Sequence, residues 1–341
     1  MKKKINLLIT LLFVLSVSII PVAASSSVMS YSTAESMIAE EIVFGDDVVD
    51  FSALCSDKIT NIYINLEGMS VYVDFSGMEE NFDATSVEYV SEDADVAIAW
   101  DGRILATGKG TTDIILYVGN EQYTINVTVK EAISDELLDA IERVSKGKSL
   151  ARISVERQAI IDKASDMVSI LWRPTTNLIG WRNGYTFEAG KVYSGVPYSM
   201  TINQCDDVEF EAAMSNSDFY DSYSRTINNK TYTMPKYGSD CSGFVSFAWG
   251  MNKVGTNTFI KYPSIGGYEN LQPGDAVVYR VNDEGHIILV LINFQTPSDS
   301  SGYDEPYLAC YEQTPYHADL TFHTYAALLN GGYKAISKFN N

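Results

Sequence analysis

Cys241 sits where a polar loop, Tyr237-Gly238-Ser239-Asp240, gives way to the apolar run Phe244-Val245-Ser246-Phe247-Ala248-Trp249. Ser239 and Asp240 are good N-cap residues, and Phe244, Val245 and Ala248 recur at helical spacing, which predicts Cys241 in the first turn of a helix. A thiol there meets the positive end of the helix dipole and free backbone N–H groups, which favour the thiolate. The same N–H groups can hold an oxyanion. Such a nucleophile needs a base within hydrogen-bond reach, and the base needs a polar group to orient it. Of the three histidines, His286 fits best. It follows Gly285 and heads Ile287-Ile288-Leu289-Val290-Leu291-Ile292, a run apolar enough to be a buried strand. His317 and His323 come after Pro315 in what reads as a looser segment. Glu312 lies in the next strand-like stretch, 307–314, on the face shared by Cys310 and Thr314. Gln313 points to the other face and is the alternative orienter. An ionised Glu312 beside His286 favours imidazolium, and so a thiolate–imidazolium resting pair.

The elements that would carry these residues follow in order. Leu271-Gln272-Pro273-Gly274-Asp275 is a turn into the strand pattern Ala276-Val277-Val278-Tyr279, and Asn282-Asp283-Glu284-Gly285 is a second turn that delivers His286. A cysteine-bearing helix thus precedes an antiparallel meander. Upstream, Ser154 opens a helix whose Ile160, Ile161, Ala164, Met167, Val168 and Leu171 form one apolar face, with Pro174 as the stop. The stretch 172–199 is loop-rich and aromatic, suited to a groove lining or to a small core. The polar stretch 203–230 reads as a surface insertion. Between 134 and 146 a helical connector is expected, and 147–152 marks a domain boundary. Before it, short alternating segments read as strands, with Asp101-Gly102 and Gly119-Asn120 as hairpin turns.

Lys2, Lys3 and Lys4, the apolar run 5–22 and the small residues Val22-Ala23-Ala24 have the pattern of a signal peptide, 1–24, with a retained membrane anchor as the other reading. The chain carries 44 acidic and 24 basic residues, a net charge of −20, which argues against a nucleic-acid partner and against retention by polyanionic wall polymers. The four cysteines are scattered, and none has zinc-ligand spacing, so neither metal nor cofactor is expected. Cys55 and Cys310 read as buried small hydrophobes, and a Cys205–Cys310 bridge is left open.

Two resemblances add to this. Ser91-Glu92-Asp93-Ala94-Asp95-Val96-Ala97-Ile98, Asp101-Gly102-Arg103-Ile104 and Gly108-Lys109-Gly110-Thr111-Thr112-Asp113-Ile114, closing on Val127-Thr128-Val129, resemble a bacterial Ig-like domain. That implies a β-sandwich over 30–130, serving as a spacer or as the binder of a surface ligand. Asp240-Cys241-Ser242-Gly243-Phe244-Val245, Leu271-Gln272-Pro273-Gly274-Asp275, Gly285-His286-Ile287 and Tyr311-Glu312-Gln313-Thr314, in that order, resemble the NlpC family of papain-like cell-wall cysteine peptidases. The resemblance implies an α+β papain-like domain over 154–341, after a connector over 131–153. It implies Cys241 as nucleophile, His286 as base and Glu312 as the third polar residue, where relatives usually carry His, Asn or Gln. By the same resemblance Asp240, with Ser242 beside it and Tyr198 as the nearby tyrosine, would bind the free amino end of a peptidoglycan stem peptide. The expected protein is a secreted or wall-associated hydrolase of a stem-peptide amide, with the D-γ-glutamyl–diamino acid bond foremost. An N-acetylmuramoyl-L-alanine amidase, a transferase and a non-catalytic surface adhesin are the alternatives. No membrane contact is expected after signal cleavage.

Overall fold

Alternation of β-branched and aromatic residues with polar ones builds the N-terminal half. Its strands are β1 (Ile42–Phe44), β2 (Val48–Asp50), β3 (Ile59–Leu66), β4 (Ser70–Asp74), β5 (Glu88–Ser91), β6 (Ala97–Trp100), β7 (Arg103–Ala106), β8 (Gly110–Val118) and β9 (Glu121–Glu131). They form one sheet of order β1-β3-β9-β8-β5 and another of order β2-β4-β7-β6. Ile62, Ile114, Leu116 and Ile125 of the first share a core with Val71 and Ile104 of the second, giving a sandwich. Each such aliphatic side chain stabilises by about 1.5–3 kcal/mol relative to exposure. β8 and β9 are antiparallel, and β3 runs parallel to β9. The β6–β7 hairpin closes on Asp101 and Gly102, with φ of 44° and 81°. That is the two-residue left-handed turn whose twist suits a hairpin, and glycine adopts it without strain.

The described residues of this computed structural model are 42–44, 48–50, 59–75, 86–133, 153–227, 230–281, 284–295 and 305–339, all within the unit Ala39–Asn341. The expected signal peptide, the connector helix over 134–146 and Cys55 lie outside them.

The C-terminal half is α+β. α1 (Val155–Ser169) is capped by Ser154, which accepts from Arg157 N, and buries Ile160, Ile161, Ala164 and Met167. It ends at Ser169, ahead of Pro174, because the chain turns at once into β10 (Leu171–Trp172). Short β11 (Leu178–Ile179), β12 (Thr186–Phe187) and β13 (Tyr193–Ser194) follow, then α2 (Asp207–Ala213), β14 (Ser222–Ile227) and β15 (Lys230–Pro235). Next come α3 (Cys241–Ala248), α4 (Thr256–Phe259), β16 (Ala276–Val281), β17 (Glu284–Phe294), β18 (Tyr307–Gln313), β19 (Ala318–Thr324), α5 (Tyr325–Asn330) and β20 (Lys334–Ile336). The main sheet has order β19-β18-β17-β16-β20 and is antiparallel throughout. The looser segment expected after Pro315 is therefore a regular strand, β19. Its alternation of Leu320 and Phe322 with Asp319, Thr321 and His323 is the strand period.

α3 packs on α1, β17 and β18. Arg157 of α1 reaches into the Pro273-Gly274-Asp275 turn, donating to Asp275 Oδ1 (2.9 Å) and Pro273 O (2.8 Å). The helix, the turn and the start of β16 are thereby locked together. In the aromatic stretch, Trp172 packs on Phe187, Tyr193, Phe210 and Phe219 in a small core, whereas Trp181 stacks on Tyr232 and meets Tyr198 edge-on. The stretch read as a surface insertion thus contributes Phe210 and Phe219 to a core. Cys205 and Cys310 are buried and free, so no bridge joins them.

Candidate active site

Asp240 is the N-cap of α3, with Oδ1 accepting from Gly243 N at 2.7 Å, and Cys241 is the first helical residue. Cys241 is 7 % exposed. Ser242 donates to Asp240 Oδ1 at 2.7 Å, and Lys253 Nζ lies 2.7 Å from Asp240 Oδ2. Both carboxylate oxygens of Asp240 therefore have partners inside the protein, and the Ser242 hydroxyl is committed to bracing the cap.

His286 enters near the start of β17, where it pairs with Tyr279 of β16. The imidazole is 15 % exposed and hydrogen-bonds the Cys241 thiol on one side. On the other, Nε2 lies 2.7 Å from Glu312 Oε1. With Nε2 taken by Glu312, Nδ1 is the nitrogen left for sulfur. Burial alone would lower the affinity of this ring for a proton. Interaction with Cys241 and then with Glu312 outweighs it and raises the pKa to about 10.

Glu312 on β18 is fully buried. Oε1 also accepts from Arg103 Nη1 at 2.5 Å. Oε2 accepts from Arg103 Nη2 at 3.2 Å and Thr321 Oγ1 at 2.8 Å, and lies 2.9 Å from His323 Nε2. Burial disfavours the charged carboxylate, but the Arg103 guanidinium and the two histidines hold its pKa well below the usual carboxylate range. His323 goes the other way: burial and Arg103 lower its pKa, so it is neutral there and donates from Nε2. Gln313 faces away and donates to Val196 O at 3.0 Å.

Tyr198 is half-buried beside Cys241. Burial, then the Cys241 and Asp240 charges, push its hydroxyl pKa well up, so it is a donor near the sulfur. Tyr279 is similarly raised, by burial and then by Asp101 and Cys241. Asp101 of the sandwich turn accepts from Arg182 Nη1 at 3.0 Å, so the N-terminal half reaches the neighbourhood of the thiol. A groove of about 460 Å³ runs between β5–β6 and β15, walled by Trp100, Trp181, Arg182 and Tyr232.

The structure thus brings together Cys241, His286, Glu312 and Tyr198, and places Asp240 and Ser242 in the cap beneath them. Sequence reasoning missed Arg103, Thr321, His323 and Lys253. The strand alternation after Pro315 could have put Thr321 and His323 on the Glu312 face. An arginine among the apolar residues of β7 signals a buried charge, but nothing in the sequence names a partner 209 positions away. No family model, curated protein or solved structure matches the chain.

Proposed function

We propose that the protein is a cysteine hydrolase of the NlpC type, with a papain-like catalytic half, acting on an amide bond of peptidoglycan stem peptides. The observation that carries this is the single line from the helix-start thiol through His286 to an ionised, buried Glu312. A pure binder has no need of that line. The Cys241 thiolate attacks the amide carbon, and the N–H groups of Cys241 and its neighbour at the head of α3 stabilise the oxyanion. His286 gives its proton to the leaving amine, and the acyl group passes to the sulfur. Water, deprotonated by His286, then releases the acid and restores the pair.

The foremost bond is that between D-isoglutamate and the diamino acid, with Tyr198 as a donor at the substrate. A substrate ammonium at Asp240 must take the place of Lys253 on Oδ2. Muramoyl-alanine amidase and transferase chemistry use the same residues on another bond or acceptor. Mass analysis of products from defined muropeptides tests the reading. Fragments split after D-isoglutamate are expected, free muramic acid ends would indicate the amidase, and intact muropeptides would end the hydrolase assignment. The signal-peptide pattern of residues 1–24 fits export.

A further inference from the structure

We propose that Arg103, carried by the N-terminal sandwich, is a positioning residue of the Cys241 site: it grips Glu312 and so keeps His286 aligned with the thiol. The functional consequence rests on the hydrolase reading above. The geometry stands without it.

Arg103 opens β7 directly after the Asp101-Gly102 turn and is 5 % exposed. Its side chain is fixed within its own half first. Nε donates to Ser70 Oγ at 2.8 Å, and the guanidinium lies 4.8 Å from the Trp100 ring centre. The two Nη atoms then fork onto the two oxygens of Glu312, at 2.5 and 3.2 Å. Oε1, which takes the shorter bond, is the oxygen that meets His286. A buried carboxylate without a counter-charge takes up a proton instead. His323 cannot supply the charge, since it is held neutral, and His286 supplies it only while protonated. Of these three partners of Glu312, Arg103 is the one that is cationic at every stage of a turnover. A protonated Glu312 would keep an acceptor but lose the negative charge that favours the imidazolium form of His286.

The sandwich is seated by other contacts as well. Phe322 N donates to Gly68 O at 2.9 Å, and a side chain at Gly68 would meet the Phe322 ring at 2.8 Å, which holds that position to glycine. Lys191 pairs with Asp95, and Tyr316 donates to Asp95 at 3.3 Å. A site whose nucleophile, base and acid lie in one half is therefore completed by a cation from the other. Among the described residues, the titratable groups facing Glu312 are Arg103 of β7, His286 of β17, Asp319 and His323 of β19, Cys310 of its own strand, and Tyr333. Tyr72 of β4 faces Arg103.

The test uses the full chain with Arg103→Met, Arg103→Lys, Glu312→Gln, the Arg103→Met/Glu312→Gln pair and Asp95→Asn, each checked for folding by circular dichroism. Two readouts are taken between about pH 5 and 9: capture of Cys241 by iodoacetamide, located by peptide mass, and release of stem peptide from peptidoglycan. Arg103→Met is expected to move the acid limb of both profiles up by about one pH unit, about tenfold slower capture at the foot of the limb, with Arg103→Lys lying between it and wild type. The double variant is expected to be no slower than Glu312→Gln, because the effect of Arg103 passes through that carboxylate. Asp95→Asn, which removes only a surface docking contact, should stay within about twofold of wild type. A folded Arg103→Met with the wild-type profile overturns the proposal, as do losses that multiply in the double variant. Should Arg103→Met not fold, Arg103→Lys and the double variant, which leaves no lone buried charge, decide it by the same comparison. If capture follows the expected pattern while wild type releases no peptide, the hydrolase reading fails and the positioning role stands.

Discussion

Glu312 has two sides that match in residue type and differ in behaviour. On the cleft side, Oε1 meets His286 at 2.7 Å. On the core side, Oε2 meets His323 at 2.9 Å. Burial lowers the proton affinity of both rings, yet His286 is raised to about 10 and His323 falls below the ordinary value of 6.5. The carboxylate is common to both, so it cannot be the cause of the difference. What differs is the group on the far side: His286 faces Cys241, and His323 faces the Arg103 guanidinium. The same carboxylate thus sits beside one histidine whose proton affinity is raised and one, next to a cation, whose proton affinity is lowered.

Substituting the two histidines should separate them most widely. His286→Ala should cost about 10⁴–10⁶ in peptide release, the scale of losing a member of a catalytic group that acts as a unit. His323→Asn should stay within about tenfold of wild-type activity while lowering stability by about 1–3 kcal/mol in urea melts, since Oε2 loses a donor. Equal activity losses from the two variants would remove the distinction between them. Glu312→Gln comes next. It keeps an acceptor for His286 but leaves Arg103 buried without an anion, so a stability loss of about 3–5 kcal/mol and at least about a hundredfold loss of rate are expected.

The two histidines also pull the pH dependence of folding in opposite directions. His286 is raised, so the stability that its proton brings is complete below about 6.5 and is lost as pH climbs through about 10. His323 is lowered, so its contribution is present above 6.5 and is lost as pH falls through its depressed value. Glu312 adds a second acid loss, below its ordinary 4.5. Equilibrium unfolding followed from acid to alkali should show His286→Ala flattening the alkaline limb and His323→Asn the upper part of the acid limb. The smallest effect belongs to the other face of β18. Gln313→Leu removes the bond to Val196 O and should cost about 0.5–1.5 kcal/mol, with activity kept within about tenfold.

Much of this centre could be read from the sequence because its signals are local. Asp240 as cap, Cys241 in the first turn and Glu312 rather than Gln313 toward His286 all follow from short-range spacing, and the structure places them so. Asp101-Gly102 as a hairpin turn was equally plain, since few other pairs accept two left-handed residues in sequence. The rest depends on contacts between distant parts of the chain. Arg103 looks like one more strand residue until the sandwich meets β18. Lys253 gives no hint of Asp240 until the turn after α3 brings it back. Trp172 and Trp181 sit in the same loop-rich stretch, and only the fold sorts the first into a core and the second onto Tyr232 and Tyr198.

In the proposed mechanism an acyl group passes through the sulfur of Cys241. Wild-type protein quenched during turnover of a defined muropeptide, then digested and weighed, should show the peptide containing Cys241 heavier by the acyl fragment. His286→Ala and Cys241→Ala should show no such adduct and no product. Product formed by Cys241→Ala at the wild-type rate, with residue 241 never modified in the native protein, would contradict it.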